Sequence, residues 1–420
     1  MRYPIWTALA LASALALAGC GGGGGGSSAP TLSTVSSVNA ASKAPAAAPA
    51  GGFKAMVVFG DSLSDDGAYT LAAVGTYGAQ VPFTGLPYPA GGQFTVNGDT
   101  VNGVTIGNWT NVVAKSLGLG LSPNLIGYGT AQGPVYLTLQ GPTSPGATPP
   151  FCAFSVQGSC TNFAQGGSMV MNLNGIGHST GALTIPVTQQ VQNYLNQFGK
   201  FTNTQLITVL AGNNDIFTAL GTVSAQIAQG MPQAKAVAQA QNAVGQAADL
   251  LAGVVQNIIA NSGQYVLVYT LPDSSVTPFG RGLPYTGATP PAAPPAGYVC
   301  NNQDPTQPCY LLSNLVQVFN QRLTNDLQGQ PVKMLDGFAL LNQEIANPSQ
   351  FGFTNTTTPW CNPATTSSLL CNVNTPFTAA GATTANLGTW LFADSVHPTP
   401  AGYQVIANAT LQAMKGFGWN

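Results

Sequence analysis

Charged side chains are scarce in this chain of 420 residues. Lysine and arginine together number 10, aspartate and glutamate number 12, and the formal net charge is −2. A protein that neutralises nucleic-acid phosphates needs a patch or stripe of positive charge, and this composition supplies none. The sequence therefore argues against a nucleic-acid partner.

Histidine is scarcer still, since His178 and His397 are the only two. Zinc sites draw on histidine and on closely spaced cysteine pairs of the Cys-x-x-Cys type, and the seven cysteines do not follow that spacing. The adjacent acids Asp65 and Asp66 are more typical of a helix N-terminus than of metal ligands. We therefore expect neither a metal nor another cofactor.

The cysteines that follow Cys20 are even in number and close together in pairs. In an exported protein such pairs predict local disulfides, each closing a small surface loop. The three predicted pairs are Cys152 with Cys160, Cys300 with Cys309, and Cys361 with Cys371.

The N-terminal segment has the features of an export signal. A charged Arg2 precedes an apolar stretch at residues 5–17 that is too short to span a bilayer. The stretch ends in Leu-Ala-Gly followed by Cys20, which resembles the lipobox of bacterial lipoproteins. This resemblance implies a signal peptide over residues 1–19, lipidation of Cys20 and attachment to a membrane surface. An ordinary signal peptide and a secreted product are the alternative.

Composition divides the remainder of the chain into two parts. Residues 20–52 are rich in Gly, Ser, Ala and Pro, cannot bury a core, and are typical of a flexible tether. Residues 53–420 carry the apolar runs and all further motifs, so we expect one domain there.

The first of these motifs is an apolar run at residues 55–59, typical of a β-strand, that ends in Gly60-Asp61-Ser62. Open α/β folds place their chemistry where strands end, so Ser62 is a candidate nucleophile. Serine needs a general base that is held by a third group. Gly-Asp-Ser is also ordinary turn chemistry, so by itself this motif leaves a simple strand-ending turn open.

A base and a carboxylate occur together near the end of the chain, at Asp394 and His397. An alternative with a helix-capping Asp394 and a surface His397 would leave Ser62 without a base. His178 lies in a glycine-rich stretch with no carboxylate near it in sequence, which is typical of a loop histidine. We expect activity to fall in acid, because a protonated His397 cannot accept the serine proton.

Two further motifs supply hydrogen-bond donors. A second apolar run at residues 206–211 leads into Gly-Asn-Asn-Asp at residues 212–215, and an asparagine amide at a strand end suits a developing oxyanion. Residues 162–167 read Asn-Phe-Ala-Gln-Gly-Gly, whose glycines let backbone N–H groups approach a substrate.

These four segments, in this order, resemble the SGNH or GDSL hydrolase family. The resemblance implies that Ser62 is the nucleophile, that His397 is the general base and acid, and that Asp394 orients the imidazole. It also implies an oxyanion hole made of the backbone N–H groups of Ser62 and Gly167 and the side-chain amide of Asn214.

The resemblance implies a serine esterase or lipase that forms an acyl-enzyme, with a lipid, a short acyl ester or an acylated glycan as substrate. The alternatives are an acyltransferase to an alcohol acceptor, a polysaccharide O-acetylesterase and a non-catalytic surface-binding protein. The residues after Ser62 and the segment 352–355 resemble the secreted lipase and phospholipid acyltransferase branch. Many relatives carry Arg-Phe-Ser-Asn-Gly where residues 92–98 lack the arginine, which leaves the substrate open.

Apolar patterning predicts strands alternating with helices, hence an α/β fold with a mostly parallel sheet. Strands are expected at 55–59, 206–211, 265–270 and 332–335, with a weaker one before Gly166, and helices at 108–117, 187–198, 234–261, 311–327 and 401–415. The family implies a flavodoxin-like, three-layer α/β/α sandwich. Insertions at 70–105, 129–160, 279–309 and 355–387 are expected to line the active-site mouth. Phe83, Tyr88, Phe94 and Trp109 are candidates for either an acyl pocket or the core.

Overall fold

The computed structural model describes residues 38–39, 41–70, 92–98, 100–101, 104–105, 107–138, 140–153, 159–284, 297–366 and 368–420. The predicted signal peptide, Cys20, Phe83 and Tyr88 lie outside the described residues, as does the first part of the predicted tether.

Nine strands occur in the described part of the chain. In chain order they are β1 Ala55–Gly60, β2 Thr100–Val101, β3 Val104–Thr105, β4 Gly127–Thr130, β5 Gly133–Thr138, β6 Gly141–Pro142, β7 Gln205–Leu210, β8 Tyr265–Tyr269 and β9 Val332–Leu335.

The helices are given in the same order. They are α1 Trp109–Ser116, α2 Val187–Phe198, α3 Asn213–Ala228, α4 Gln233–Ala260, α5 Pro278–Arg281, α6 Pro308–Asp326, α7 Gly337–Ala346 and α8 Pro400–Gly416. Short 3-10 helices lie at His178–Thr180, Ser274–Val276, Pro348–Phe351, Ser368–Leu370, Thr378–Ala380 and Thr384–Thr389.

The central sheet has four parallel strands in the order β1-β7-β8-β9. Successive residues of a strand point to opposite faces, and both Val57 and Val58 of β1 are fully buried. Helices therefore cover both faces, with α1 packed on α8 and α4 packed on α2, α3 and α6. The predicted α/β fold with a parallel sheet is confirmed.

Helix α4 is long and apolar enough, by composition alone, to cross a membrane, and it is the one such helix in the described residues. Its buried side chains lie in the main core, where the helix contacts α3 and α6. Packing inside the domain accounts for this apolar sequence.

The weak strand predicted before Gly166 does not form, and this prediction was wrong. Residues 161–165 run beside β1, where Val58 N–H donates to the Thr161 carbonyl and Phe163 N–H donates to the Val58 carbonyl. Only isolated bridges result. The segment turns away at its glycines after a few residues, which is too soon for a regular ladder.

All three predicted cysteine pairs are disulfide-bonded. The third pair belongs to a separate hydrophobic cluster, which includes Ala393, the residue before Asp394. Its buried members are Val96, Trp360, Cys361, Cys371, Ala382, Leu387, Trp390 and Ala393.

The end of the predicted tether lies against the domain. Ser42 Oγ donates to the Val332 carbonyl at the start of β9 (2.5 Å), and Trp419 Nε1 donates to the Pro45 carbonyl (2.7 Å). Lys54 N–H donates to the Thr204 carbonyl just before β7 (2.8 Å). This stretch therefore crosses the amino-terminal edge of the sheet. A domain boundary at residue 53 stays a prediction.

Candidate active site

Ser62 lies immediately beyond the carboxyl end of β1, in a turn that follows Gly60. A side chain at Gly60 would collide with the Leu210 carbonyl of β7, so glycine lets the two strands lie close together there. Asp61 accepts a hydrogen bond from the Leu63 N–H (3.1 Å), which closes the turn. The turn leaves the Ser62 side chain at the sheet edge with 9% exposure.

The structure brings Ser62, His397 and Asp394 into one hydrogen-bonded chain. His397 Nε2 lies 2.8 Å from Ser62 Oγ, and His397 Nδ1 lies 2.7 Å from Asp394 Oδ2. The other Asp394 oxygen accepts the backbone N–H groups of Val396 (2.8 Å) and His397 (2.7 Å). The Asp-x-x-His segment is thus a tight turn that orients both side chains, and both are buried rather than on the surface.

The surroundings of Asp394 favour its ionised form. Burial acts to raise the pKa of this carboxyl, but the His397 ring and the hydrogen bonds to it outweigh burial and hold the pKa below its usual value. A carboxylate that stays ionised accepts the Nδ1–H of His397 and leaves Nε2 as the acceptor for Ser62. The Phe94 ring packs against the His397 imidazole, with 5.1 Å between the two ring centroids.

In the glycine motif, the structure distinguishes the two glycines. Gly166 N–H donates to the Asp65 carboxylate (2.8 Å), which also accepts the N–H groups of Gly67 and Ala68. Within the described residues, the N–H groups of Gly167 and Ser62 donate to no acceptor. Gly167 has φ +77°, which suits glycine. Of the two described glycines, it is therefore Gly167 whose N–H has no acceptor in the protein.

The asparagine motif begins helix α3 at the carboxyl end of β7. Asn214 Nδ2 donates to the Ser168 carbonyl (2.8 Å), and Asn213 Nδ2 donates to Asp61 (3.1 Å). Asp215 accepts the Val170 N–H (3.0 Å), and burial raises the pKa of this carboxyl to about 7. This motif therefore ties the glycine loop to the sheet edge.

The two acids that follow the serine are held by other groups. Burial raises the pKa of Asp65 to about 6 and raises that of Asp66 well above its usual value, with the neighbouring Asp65 charge adding to the shift of Asp66. Asp66 Oδ2 accepts the Asn111 side-chain amide (3.2 Å). Among the described residues, no three His, Cys, Asp or Glu side chains group together as metal ligands would.

His178 takes no part in the hydrogen-bonded chain of Ser62, His397 and Asp394. It begins a short 3-10 helix on an exposed loop, where its Nδ1 is 3.0 Å from Thr184 Oγ1. The structure thus pairs only His397 with Ser62.

A pocket of about 70 Å³ opens beside Ser62 and His397. Its other lining residues come from the carboxyl ends of the strands and from the loops and helices that follow them. They are Leu63, Leu210, Asn213, Phe217, Tyr269, Thr270, Pro272, Ser274, Thr277, Gly337, Leu340, Leu341, Glu344, Leu391, Phe392, Val396, Pro398 and Ile406.

The walls of this pocket contain no described residue of the four insertions, although Phe94 of the first insertion packs against the His397 ring. That the insertions line the active-site mouth stays a prediction. Trp109 is fully buried and packs on Tyr269, so it belongs to the core.

Sequence patterning also missed Gln190, whose amide bonds to both the N–H and the carbonyl of Gly60. Its position among the buried residues of the amphipathic helix α2 was the sequence feature that could have predicted this contact.

Comparisons with known proteins agree with these motifs. Residues 56–410 match the family model described as GDSL-like Lipase/Acylhydrolase. An uncharacterized Pseudomonas putida protein, named for the trpE-trpG intergenic region, is 28% identical over 369 residues, which are 85% of this chain and 48% of that protein. The Arabidopsis thaliana GDSL esterase/lipase APG is 34% identical over 109 residues, which are 24% of this chain and 30% of that protein.

The chain thus spans about half the length of the first relative and less of the second. The family model, in contrast, matches most of the chain, and every one of the four motifs lies within the matched residues. This protein belongs to the GDSL-like lipase/acylhydrolase family.

Proposed function

We propose that this protein hydrolyses carboxylic esters through a covalent acyl-enzyme on Ser62. The observation that carries the proposal is the unbroken hydrogen-bonded chain from Asp394 through His397 to Ser62 Oγ. Membership of an esterase family supports the same reaction class.

In the first half of the reaction, Ser62 Oγ attacks the ester carbonyl carbon while His397 Nε2 takes the serine proton. Asp394 keeps the Nδ1–H in place and stabilises the imidazolium that forms. The tetrahedral intermediate collapses, the ester C–O bond breaks, and His397 gives its proton to the departing alcohol. Water then repeats these steps on the acyl-enzyme and releases the acid.

The oxyanion of each tetrahedral intermediate needs donors on the side of the carbonyl oxygen. We assign the backbone N–H groups of Ser62 and Gly167, which donate to no other described group, and the side-chain amide of Asn214. Asn214 gives one of its two amide hydrogens to Ser168, which leaves the second for the substrate.

The pocket favours acyl groups longer than acetyl. Its walls are mainly aliphatic and aromatic, and it begins at Ser62 and His397, where the acyl carbon would sit. We therefore place esterase or lipase activity ahead of polysaccharide deacetylation. Transfer to an alcohol acceptor would use the same acyl-enzyme, and the product assay below distinguishes it from hydrolysis.

We also propose that the protein is exported and attached to a membrane through a lipid on Cys20. The disulfides support export, since such bonds persist in oxidising compartments. Labelling of cells with radioactive palmitate tests the anchor: the full chain is expected to incorporate label and Cys20→Ser to lose it. Equal labelling of both would exclude Cys20 as the lipid site.

The test of the catalytic proposal is hydrolysis of p-nitrophenyl esters from acetate to palmitate by the protein and its Ser62→Ala variant. We expect turnover that depends on Ser62, with an optimum beyond acetate. Products are then analysed with glycerol or a sterol present, where acylated acceptor would indicate transferase activity. Equal rates for both proteins across the series would refute ester hydrolysis by Ser62.

A further inference from the structure

A buried carboxylic acid, Glu344 of α7, lines the pocket that begins at Ser62. The residue is 3% exposed. Within the described part of the chain, no hydrogen bond to its carboxyl group is found, and burial alone raises its pKa to about 8. The group is therefore a neutral acid near pH 7, able both to donate and to accept a hydrogen bond.

Strand order separates Glu344 from the nucleophile. Ser62 follows β1 at one edge of the sheet, whereas α7 follows β9 at the other edge. The pocket passes Leu210 at the end of β7 and Thr270 after β8. The two edge strands are three inter-strand spacings apart, which is about 14 Å, and residues that follow both of them line this one pocket.

Most of the remaining wall of the pocket is apolar. They include Leu63, Phe217, Leu340, Leu391, Phe392 and Ile406. The other two titratable residues of the lining are engaged, since His397 bonds to Ser62 and Tyr269 Oη lies 2.7 Å from Thr410 Oγ1. Glu344 is the one titratable side chain of the pocket with its hydrogen-bonding groups unused.

Folding alone gives no reason for an acid at this position. Burying an unpartnered carboxyl is unfavourable, and the adjacent cluster of Phe353, Leu391 and Phe392 would pack against an aliphatic side chain. Ligand pockets typically combine apolar walls with a few polar groups that fix the orientation of the ligand. A buried acid with a strongly shifted pKa in such a pocket is a candidate for recognition.

We propose that the pocket takes an acyl chain that carries a hydroxyl group remote from the ester, and that Glu344 hydrogen-bonds to this hydroxyl. The preferred substrates are then esters of hydroxyacids, and Glu344 is the residue that determines this specificity. The proposal rests on the proposed ester hydrolysis and adds the substrate class.

The test compares p-nitrophenyl ω-hydroxyacyl esters with unsubstituted esters of the same length, from hexanoate to dodecanoate. The measured quantity is the ratio of kcat/KM for the two members of each pair. We expect the wild-type ratio to reach about tenfold at one length, since one hydrogen bond to a buried group has about that value. Glu344→Leu is expected to bring this ratio to about one, and Glu344→Gln to retain most of it.

Gln343→Leu is the matched control, because it makes a similar change on the same helix at a residue outside the pocket lining. Its ratio is expected to equal that of the wild type. A wild-type ratio near one at every length, or a preference that Glu344→Leu retains, would overturn the proposal.

A binding measurement keeps this result separate from the fate of the proposed reaction. Calorimetry with the Ser62→Ala protein compares methyl esters of the hydroxylated and unsubstituted acids, and needs no turnover. We expect about tenfold tighter binding of the hydroxylated ester, and its loss in Ser62→Ala/Glu344→Leu. Equal binding would reject the role of Glu344, whereas absent hydrolysis with selective binding would reject only the reaction.

Discussion

The carboxyl groups around Ser62 and the carboxyl group of Glu344 in the pocket wall are all buried, but they differ in their partners. Near Ser62, Asp61, Asp65, Asp215 and Asp394 each accept at least one backbone N–H. Glu344 has no such partner among the described residues. The first group uses burial to fix loops and the imidazole, whereas the second keeps its hydrogen-bonding capacity for something that enters the pocket.

The largest effect should come from the carboxylate that holds the imidazole. Asp394→Asn would place an amide N–H against His397 Nδ1 and favour the wrong tautomer, so we expect kcat to fall about 10⁴-fold near pH 7. Ester hydrolysis by purified protein measures this loss, with a thermal melt to confirm folding. A fall smaller than tenfold in a folded variant would show that Asp394 is not the orienting group.

The adjacent asparagines allow a sharper comparison. Asn214→Ala should lower kcat about 10²–10³-fold, the usual loss for one oxyanion donor. Asn213→Ala removes the hydrogen bond to Asp61 and one polar group of the pocket wall, but no assigned oxyanion donor, and should cost less. Steady-state kinetics of both variants test which asparagine is the oxyanion donor. A larger loss of kcat in Asn213→Ala than in Asn214→Ala would assign that role to Asn213.

The difference in stability between the wild type and Glu344→Gln isolates this acid, because Asp65, Asp66 and Asp215, whose pKa values are also raised, are present in both proteins. In the unfolded chain Glu344 ionises near pH 4.5, but in the folded protein its pKa is about 8. Between these values the folded state holds the extra proton, so rising pH favours unfolding. From about pH 6 to pH 8 the wild type should lose about 2 kcal/mol relative to Glu344→Gln, measured by denaturant unfolding. A constant difference would contradict the buried neutral acid.

The smallest effect is expected at a partnered but exposed carboxylate. Asp249 forms a surface ion pair with Arg322, in which Nη2 lies 3.0 Å from Oδ2. Asp249→Asn should change the free energy of unfolding by less than about 1 kcal/mol. The difference in unfolding free energy between the wild type and Asp249→Asn is expected to stay constant from about pH 6 to pH 8, because both proteins retain Glu344, and this variant is therefore the control for Glu344→Gln.

Local sequence patterns predicted the parts of the fold that depend on continuous apolar runs. The four strands of the central sheet and helices such as α2 appear within about one residue of the prediction, because each buries a periodic apolar set. Helices α3 and α7 were not predicted. Both begin at poor helix formers, Asn213 and Gly337. Asn213 bonds to Asp61 at the start of α3, and Asp336 caps α7 by accepting the Ala339 N–H.

The residues of the candidate site also fall into those that local sequence patterns predict and those that they do not. Ser62, Asp394 and His397 come from short motifs, and the structure brings them together. Glu344 reaches the pocket from a distant segment with no local pattern to mark it, and Phe94, which the sequence offered for an acyl pocket or the core, packs against the His397 ring. Their positions depend on strand order and on which helix covers which strand end, and that information is distributed along the whole chain.

The segment at residues 41–54 crosses the amino-terminal edge of the sheet, while Ser62, Asn214 and the pocket lie at the carboxyl-terminal edge. Residues 41–54 therefore leave the mouth of the pocket uncovered. The lipid proposed on Cys20 would connect to the domain through the edge opposite Ser62, so attachment and substrate entry would use opposite edges of the sheet.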